Sequence, residues 1–514
     1  MKRTLALLLA TLLLASFACA ETTYPLTEEP ITMTVMGSKA AIQGEWSEMA
    51  FFKYMEKMTG IHLEFNTVAS DTYAEKKNLA FASGDLPDFF FGGYLTTNDE
   101  ISYGQQGLLV PLNDLLPKYA PNYMKAAERF PELIPSITTL DGNIYALPQY
   151  SGSPRSASNM FWYNYEWLNA LGISRDELPT TVDGFHDLLV RFRDEDPNGN
   201  GEKDEIPLNV PSASLRELYM FAFGAPMNTD GFFVQDDGKV AFQFTSDTYR
   251  IYLDYCRGLY EEKLLDNDVF TKAASQRNAD SKANLVGVVA SALPANDFTT
   301  TSEDSVNYPP VAQLTSSYND KPMKMKKNTI TRGAFAITTK CEHPELALQW
   351  VDYLYSVEGS MTVYQGVRGE SWDYIEGDSG KWYQIIPEGW NPEEFRGQNT
   401  PDCGTTMPKL HFPEINEGKT AVAEVYADGC ATEQLQYCVS CYPVVYFTEE
   451  ENELISSIGT DVKTYVDEME AQFITGKTEL NDETWKNYVD TLNKMGAQDY
   501  INIYQVAYDR YAKN

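Results

Sequence analysis

The apolar positions in the first hundred residues alternate between two periods. Residues 31–37, 61–69 and 87–93 read ITMTVMG, IHLEFNTVA and PDFFFGG, which are runs typical of strands. Residues 46–58 and 73–82, which lie between these runs, carry apolar side chains at helical spacing. Alternating strands and helices with short connections predict a parallel, doubly wound sheet. Ligands of such sheets bind beyond the carboxyl ends of the strands.

A second region with the same alternation begins near residue 159. The elements predicted there are helices at 181–193, 245–262 and 343–357 and strands at 285–291 and 333–339. From about residue 449 to the end the pattern is almost entirely helical. The sequence therefore predicts an α/β fold with two lobes and a helical C-terminal extension. The first lobe is expected to hold residues 21–150 and about 290–345, and the second 151–289 and 346–514.

Length and charge narrow the classes of function. A chain of 514 residues is long enough for two lobes that each have a hydrophobic core. Its 40 basic and 74 acidic residues give a net charge of −34. A surface with that charge repels phosphate backbones, so we expect no nucleic-acid partner.

The N-terminus MKRTLALLLATLLLASFACAE indicates export. Two basic residues precede an apolar run from Leu5 to about Ala15, which is too short to span a bilayer. Cleavage after Ala20, at a small-x-small site, makes residues 1–20 a signal peptide. The alternative is a lipid on Cys19, although the residues two and three places before it fit a lipoprotein signal poorly. We expect the mature protein in the periplasm or at the extracellular face of the cytoplasmic membrane.

Six cysteines follow the signal, namely Cys256, Cys341, Cys403, Cys430, Cys438 and Cys441. An even number in an exported chain permits disulfides, but the sequence does not define their pairing. The Cys438-Val-Ser-Cys441 spacing has no second pair beside it, so a disulfide or two thiols is favoured over zinc.

Residues 194–207, DEDPNGNGEKDEIP, alternate oxygen-bearing side chains with glycines, as in an EF-hand calcium loop. One register places Asp194, Asp196, Asn198, Gly199 and Glu205 in the ligand and glycine positions. A second register uses Asp196, Asn198, Asn200, Gly201, the Glu202 carbonyl and Asp204, with Glu205 two places early. The alternatives are a solvated turn and a catalytic acid cluster. A calcium cage leaves no open position for a substrate, so the predicted role of the ion is structural.

This loop and several other stretches resemble the bacterial extracellular solute-binding proteins that deliver sugars to ABC importers, especially the large alginate-oligosaccharide-binding type. The other stretches are SGDLPDFFFGG (83–93), YGQQGLLVPLNDLLPKYAPN (103–122), DGNIYALPQY (141–150), HPELALQWVDYLYSVEGS (343–360) and the closing WKNYVDTLNKMGAQDYINIYQVAYDRY. The resemblance implies a periplasmic-binding-protein-like fold whose lobes, joined by a hinge, close on a sugar. It also implies calcium in the second register, with the ligands Asp196, Asn198, Asn200, Glu202, Asp204 and Glu205.

Aromatic residues make up 13% of the chain, and flat aromatic faces suit the C–H faces of sugar rings. Three stretches combine such residues with polar side chains, at 149–155, 161–164 and 364–374. The predicted ligand-binding residues are Trp46, Tyr150, Arg155, Trp162, Arg368, Glu370, Trp372 and Tyr374. Trp167 and Trp485 stand at apolar helical spacing and are assigned to the core.

The favoured function is capture of an oligosaccharide, without catalysis, by a monomer that serves the transmembrane subunits of an ABC permease. A secreted glycosidase is the second hypothesis, and it needs two carboxylates poised across a cleft. No sequence context singles out such a pair, and no GxSxG pattern accompanies the four histidines. The third hypothesis replaces the sugar with a peptide or another small solute.

Overall fold

The computed structural model describes residues 22–157 and 159–513, so the predicted signal peptide with Cys19 and Ala20 lies outside the described residues. The strands are β1 (Ile31–Lys39), β2 (Ile61–Ala69), β3 (Phe89–Phe91), β4 (Leu147–Ser151), β5 (Phe161–Tyr163), β6 (Ile206–Asn209), β7 (Phe232–Val234), β8 (Val240–Phe242), β9 (Val286–Ala290), β10 (Lys324–Met325), β11 (Ile330–Ile337), β12 (Trp372–Tyr374), β13 (Trp382–Gln384), β14 (Lys409–His411) and β15 (Cys438–Val439).

Helices account for much of the remaining chain. They are α1 (Ala50–Thr59), α2 (Tyr73–Ser83), α3 (Thr97–Gln105), α4 (Leu116–Tyr119), α5 (Pro121–Arg129), α6 (Leu133–Ile137), α7 (Tyr165–Ala170), α8 (Val182–Asp194), α9 (Ser212–Tyr219), α10 (Asp247–Glu261), α11 (Ala274–Lys282), α12 (Pro294–Asp297), α13 (Pro344–Asp352), α14 (Val357–Gln365), α15 (Pro392–Asn399), α16 (Pro413–Gly418), α17 (Val422–Gln434), α18 (Glu449–Leu454), α19 (Thr460–Ile474), α20 (Asp482–Lys494) and α21 (Ala497–Tyr511).

The first lobe is built on a sheet whose strand order is β14-β4-β11-β3-β1-β2. Strand β1 pairs in parallel with β2 and β3, and β14 pairs in parallel with β4. Strand β11 is antiparallel to both β3 and β4. The carboxyl ends of β1, β3, β4 and β14 therefore meet at one edge of the sheet, where the sequence predicted the ligand side.

The second lobe has a smaller sheet of order β5-β9-β6, in which β6 is parallel and β5 antiparallel to β9. Helices α8 and α10 cover it with apolar faces that include Phe185, Leu189 and Tyr252. Thr181 caps α8, because its side chain accepts the Gly184 N–H. The two-lobed α/β fold predicted from the sequence is confirmed.

The cores divide the chain differently from the predicted lobe boundaries. Trp350, Leu354 and Leu410 pack in the same core as Val35 and Phe89, so α13 and α14 belong with the first sheet rather than the second lobe. A single core of the second lobe joins residues 161–314 to residues 462–504. The cause is that α13 and α14 bury their apolar faces against the large sheet. We therefore propose residues 22–151 and 330–415 as the first lobe.

The C-terminal helices are integral to the second lobe. Tyr504 of α21 stacks on Phe232 of β7, with ring centroids 3.7 Å apart and planes 16° apart. Trp485, which the sequence assigned to the core, is buried in α20 together with Tyr488. Trp167 is buried in the same core and donates its indole N–H to Asn284. Both core assignments are therefore confirmed.

Two further findings concern the state of the cysteines and the character of the helices. Cys256, Cys341, Cys403, Cys430 and Cys441 are buried free thiols. Within the described ranges, none of the helices combines the length and the apolar character that a membrane crossing requires.

A buried carboxylate in the first lobe predicts a pH dependence of stability. Asp352, at the end of α13, accepts hydrogen bonds from the Tyr123 N–H at 2.8 Å and from the Asn122 N–H and side-chain amide at 3.1 and 3.0 Å. Burial outweighs these donors and raises the pKa of Asp352 from 3.8 to about 7. The folded state therefore keeps the Asp352 carboxyl protonated up to a higher pH than the unfolded chain does.

The stabilising contribution of Asp352 should be complete below pH 4 and should be lost as pH rises through about 7. We expect the free energy of unfolding to fall by about 1.4 kcal/mol per pH unit within this window, relative to the Asp352→Asn variant. Urea unfolding of both proteins at pH 5 and pH 8 measures this difference. Parallel pH profiles for the two proteins would contradict the assignment.

Candidate functional site at the hinge

The chain passes between the two cores at three places within the described residues: 152–160, 326–329 and 412–421. These segments leave the first sheet side by side. The Ser151 N–H donates to the Thr329 carbonyl at 2.8 Å, and the Gly152 N–H donates to the His411 carbonyl at 3.0 Å. A Cβ at Gly152 would lie 2.4 Å from the His411 oxygen, so this close approach requires glycine. The hinge therefore begins at the carboxyl edge of the first sheet.

A cluster of charged side chains joins two of the crossing segments to α17 of the second lobe. Arg155 binds Asp428 with Nε 2.6 Å from Oδ1, and Lys419 binds the same carboxylate at 3.0 Å. Glu424 lies 3.5 Å from Arg155 and 3.2 Å from Lys419. These four side chains, Arg155, Lys419, Glu424 and Asp428, are named the hinge cluster. Because they are mostly buried, their charges are poorly screened by solvent.

Tyr364, near the end of α14, provides a half-buried aromatic ring beside the hinge cluster. Arg396 and Lys409 lie over this ring, 5.2 and 5.0 Å from its centroid, within the range of cation–π contacts. His411 packs on it edge-on, with ring centroids 5.1 Å apart. Asp402 binds Lys409 and lies 3.6 Å from Arg396. The ring is thus held in a fixed position by charged neighbours.

The pKa directions link Tyr364 to the hinge cluster. Burial, reinforced by the negative charge of Glu424, raises the pKa of the Tyr364 hydroxyl well above its ordinary value. Burial also lowers the pKa of His411 to about 3, and the positive charges of Lys409 and Lys419 act in the same direction. His411 is therefore neutral at pH 7. The site presents a neutral hydroxyl and a neutral imidazole among paired charges from both lobes.

A second contact between the lobes lies at β11. Arg332, whose guanidinium pairs with the buried Glu100 of α3, stacks on the ring of Tyr446 at 3.7 Å. The Arg332 Nη1 and Tyr446 hydroxyl groups are buried and have no hydrogen-bond partner. A polar cavity of about 750 Å³ lies nearby between α3 and the start of α18, lined by residues that include Thr97 and Asn452.

The predicted ligand-binding residues fall into three groups. Trp46, Trp162 and Trp372 are fully buried; Trp162 and Trp372 donate their indole N–H groups to the carbonyls of Ser291 and Gly366. Arg368, Glu370 and Tyr374 lie at or just before the β12–β13 hairpin, and Tyr374 lines a cavity of about 610 Å³ together with Glu414 and Glu417 of the crossing segment 412–421.

Arg155 and Tyr150 make up the third group. Arg155 is part of the hinge cluster, and Tyr150 lies at the end of β4 with its ring 4.8 Å from Phe130. Sequence reasoning missed Tyr364, although it begins the YQGVRGESWDY stretch singled out at 364–374. It also missed the charged partners, because no local pattern indicates that residues 364, 396, 409 and 424 meet.

The acidic loop lies in the second lobe between α8 and β6. Asp196 adopts a φ of +47°, and its Oδ2 accepts the Gly201 N–H at 3.1 Å. Asp204 accepts the side-chain amides of Asn198 and Asn200, each at 3.1 Å. The amide nitrogens of Asn198 and Asn200 therefore face Asp204, while their Oδ1 atoms accept the N–H groups of Asn200 and Glu202.

Asp194 distinguishes the two registers of this loop, whereas Glu205 belongs to both. Glu205 Oε1 is buried without a hydrogen-bond partner, and burial raises the pKa of this carboxyl. Asp194 instead points away and accepts two bonds from Arg193 at 2.7 Å each. No three His, Cys, Asp or Glu side chains gather as metal ligands in residues 22–157 and 159–513. The loop combines carboxylates with two amides, and its unpartnered Glu205 oxygen fits a hard cation.

Comparison with known proteins identifies the protein family that this chain matches. Residues 37–361 match the family model for bacterial extracellular solute-binding proteins. The chain is 29% identical to the fructooligosaccharide ABC transporter substrate-binding protein FusA of Streptococcus pneumoniae serotype 4, over 96% of this chain and 92% of that protein. It is also 23% identical to the lipoprotein LipO of Bacillus subtilis, over 73% of this chain and 74% of LipO.

Solved structures give the same result for the fold. The complex of FusA with kestose superposes with a TM-score of 0.79 at 27% identity, covering 94% of this chain and all of that one. A FusA variant described as an EF-hand mutant, in complex with fructo-nystose, gives the same TM-score at 26% identity, over 94% of this chain and all of that one. The alginate-binding protein AlgQ2, solved without calcium ion, gives 0.73 at 23% identity over 95% of this chain and all of that one.

Proposed function

Because the chain belongs to the family of bacterial extracellular solute-binding proteins, we propose that it captures an oligosaccharide at the hinge for an ABC importer. The observation that carries this proposal is the Tyr364 ring, which lies among charged side chains from both lobes. An aromatic face packs against the C–H face of a sugar, while Arg155 and Glu424 offer donors and acceptors to its hydroxyl groups. A sugar that contacts both lobes favours the closed form by its differential affinity for that form.

The binding is proposed to be non-catalytic, and the closed form is what the transmembrane subunits of the permease would recognise. FusA is named as an ABC transporter substrate-binding protein, which supports this assignment. Trp46, Trp162 and Trp372 then stabilise the lobes, and Tyr150 and Arg155 remain as ligand contacts. The protein is proposed to act as a monomer outside the cytoplasmic membrane.

A thermal-shift screen against neutral and acidic oligosaccharides tests the proposed function. A ligand at a hundredfold its Kd should stabilise the folded state by about 2.7 kcal/mol. For a chain of this length the melting temperature rises by only a few degrees, so replicate scans are needed. Recovery of the sugar after the scan distinguishes capture from hydrolysis. A cleaved sugar would favour a glycosidase, and a response to peptides alone would mean that the ligand is a peptide rather than a sugar.

Replacing Tyr364 with alanine should weaken sugar binding and leave the fold intact. The ring is only half-buried, and its loss removes the aromatic face, so we expect Kd to rise about tenfold to a hundredfold, or about 1.4 to 2.8 kcal/mol. Calorimetric titration measures the change. Tyr364→Phe is the matched control, since it retains the aromatic face and should bind within a few-fold of the wild type. Equal affinity of the Tyr364→Ala protein would remove the ring from the site.

We also propose that the acidic loop binds calcium in the second register, with Asp196, Asn198, Asn200, the Glu202 carbonyl, Asp204 and Glu205 as ligands. A bound calcium ion would fix the turn between α8 and β6 by neutralising its carboxylates. The unpartnered Glu205 oxygen supports this proposal, as do the Asn198 and Asn200 side chains, which already face Asp204. Millimolar calcium outside the cell fills even weak sites of this type.

Calcium should raise the melting temperature of the wild type, and Asp204→Asn should abolish most of that rise. Asp194→Asn is the matched control, because Asp194 is a ligand only in the first register. Scans in 5 mM calcium and in chelator compare the three proteins; this concentration is about fivefold above the extracellular level. Loss of the calcium effect in the Asp194→Asn protein alone would mean that calcium binds in the first register instead of the second. An unchanged effect in both variants would contradict a calcium site that uses either residue.

A further inference from the structure

We propose that the oligosaccharide at the hinge is uncharged, and that Asp402 and Asp428 are specificity-determining residues that exclude acidic sugars. This inference rests on the proposed function and narrows its substrate class. It follows from the charges around Tyr364, where each positive side chain is already paired with a carboxylate of the protein.

On the first-lobe side of Tyr364, the two cations that lie over the ring share one buried carboxylate. Asp402 binds the Lys409 ammonium group and lies 3.6 Å from Arg396 Nη1. Arg396 pairs in addition with Glu393 at 2.6 Å. The side chains of Asp402 and Lys409 are only 4% and 6% exposed, so this pair is not separated by solvent.

On the second-lobe side, the hinge cluster has the same balance. Asp428 lies between Arg155 and Lys419 and binds both, and Glu424 is within 3.5 Å of each. Among the described side chains that surround the ring in these pairs, two cations and two carboxylates come from each side. The charges around the ring therefore cancel.

Two further cations at the junction of the lobes, Arg332 and Lys327, also have polar partners. Arg332 pairs with Glu100, and the Lys327 ammonium donates to Asn159, whose amide donates to Glu217. Lys324 is buried within the second lobe, and burial lowers its pKa to about 8.

A sugar carboxylate would enter this environment at a net cost. Moving an ionised carboxylate out of water costs several kcal/mol unless a cation and hydrogen bonds replace the lost hydration. Each cation around Tyr364 is already neutralised by a carboxylate of the protein, Glu424 among them. The net charge of −34 adds long-range repulsion of anionic ligands.

Hydroxyl groups avoid this penalty. A neutral sugar hydroxyl can donate to Glu424 or Asp428 and accept from Arg155 or Lys419, so paired charges serve as ready donors and acceptors. Such bonds are stronger than those between neutral groups and require no excess charge of either sign. The hinge is therefore suited to neutral sugars.

Calorimetric titration with kestose and nystose as neutral probes, and with trigalacturonate and an alginate trisaccharide as acidic probes, tests the inference. We expect each acidic probe to bind at least a hundredfold more weakly than the better neutral one. Acidic probes that bind as well as or better than neutral ones would overturn the inference and leave the proposed function standing. No binding by these four probes or by the wider oligosaccharide screen would overturn both.

Two variants test the role of the carboxylates directly. Asp428→Asn and Asp402→Asn each release one positive charge at the site, so the ratio of acidic to neutral affinity should rise at least tenfold. This gain should diminish at high salt, because it comes from an uncompensated charge. Glu261→Gln is the control, since it removes an exposed carboxylate paired with Arg257 on α10 and should leave the ratio unchanged.

The two aspartates lie on opposite sides of Tyr364, one on the first-lobe side and one on α17 of the second lobe, so one variant remains informative if the other does not fold. An unchanged ratio in a folded Asp428→Asn or Asp402→Asn protein would remove that residue from selectivity. An increase in the Glu261→Gln control of the same size would assign the effect to net charge and overturn the local explanation.

Discussion

Replacing Trp372 with alanine is expected to destabilise the first lobe by about 3 to 5 kcal/mol, the range for large-to-small changes at a buried aromatic residue. Trp372 is 0% exposed, packs with the core of the large sheet and donates its indole N–H to the Gly366 carbonyl at 2.8 Å. The substitution leaves a cavity and an unpaired carbonyl, because the surrounding β12–β13 hairpin and α14 relax only partly.

Chemical denaturation of the Trp372→Ala protein measures this loss, and Trp372→Phe serves as the matched control. Phenylalanine keeps most of the buried area and loses one hydrogen bond, so a cost of about 1 to 2 kcal/mol is expected. If Trp372 were instead a sugar platform, the alanine variant would keep the wild-type stability and lose its affinity. That result would restore the interpretation based on sequence alone.

Replacing Arg216 with methionine is expected to cost about 3 to 5 kcal/mol in the second lobe, because it leaves a buried charge without its partner. Arg216 of α9 binds Glu470 of α19 at 2.8 Å and Asp467 at 2.6 Å. Glu470 is 1% exposed and also accepts hydrogen bonds from the hydroxyls of Tyr249 and Tyr252.

The double variant Arg216→Met/Glu470→Met provides the control for this buried pair. Removing both charges avoids the unpaired carboxylate, so part of the lost stability should return. Denaturant unfolding followed by tryptophan fluorescence measures both variants. A loss below about 1 kcal/mol in the single variant would indicate that Glu470 is solvated. The prediction therefore also tests whether α19 is part of the second-lobe core.

Local periodicity was enough to predict most of the elements. The strand predicted at 61–69 is β2 with the same bounds, and the helix predicted at 73–82 is α2 with one residue added. Both segments express their period in the sequence because one face is buried and the other is solvated. The helical C-terminus was predicted for the same reason.

The lobe boundaries required information that periodicity lacks. Helices α13 and α14 have apolar faces that fit either lobe, and only the position of β11 in the large sheet determines where they pack. Strand β11 is antiparallel to its neighbours, whereas the sequence pattern indicated a parallel sheet. Long-range pairing of this kind leaves no local signal.

The candidate site was only partly accessible from the sequence. Composition and resemblance directed attention to aromatic residues, but Trp46, Trp162 and Trp372 are buried in the cores. Arg155 was identified because it stands in the 149–155 stretch, which combines an aromatic residue with polar side chains. Tyr364 could not be recognised from the sequence, because its partners at 396, 409 and 424 come from distant parts of the chain and meet only at the hinge.

Titration calorimetry of the mature, calcium-loaded protein with neutral oligosaccharides, followed by recovery of the sugar, tests the central claim most directly. The account predicts saturable binding of one sugar per chain, recovery of the sugar intact, and weaker binding by the Tyr364→Ala protein measured in parallel. Binding that is unaffected by Tyr364→Ala would move the site away from the hinge. A cleaved sugar, or no heat with any oligosaccharide, would contradict the assignment of non-catalytic sugar capture.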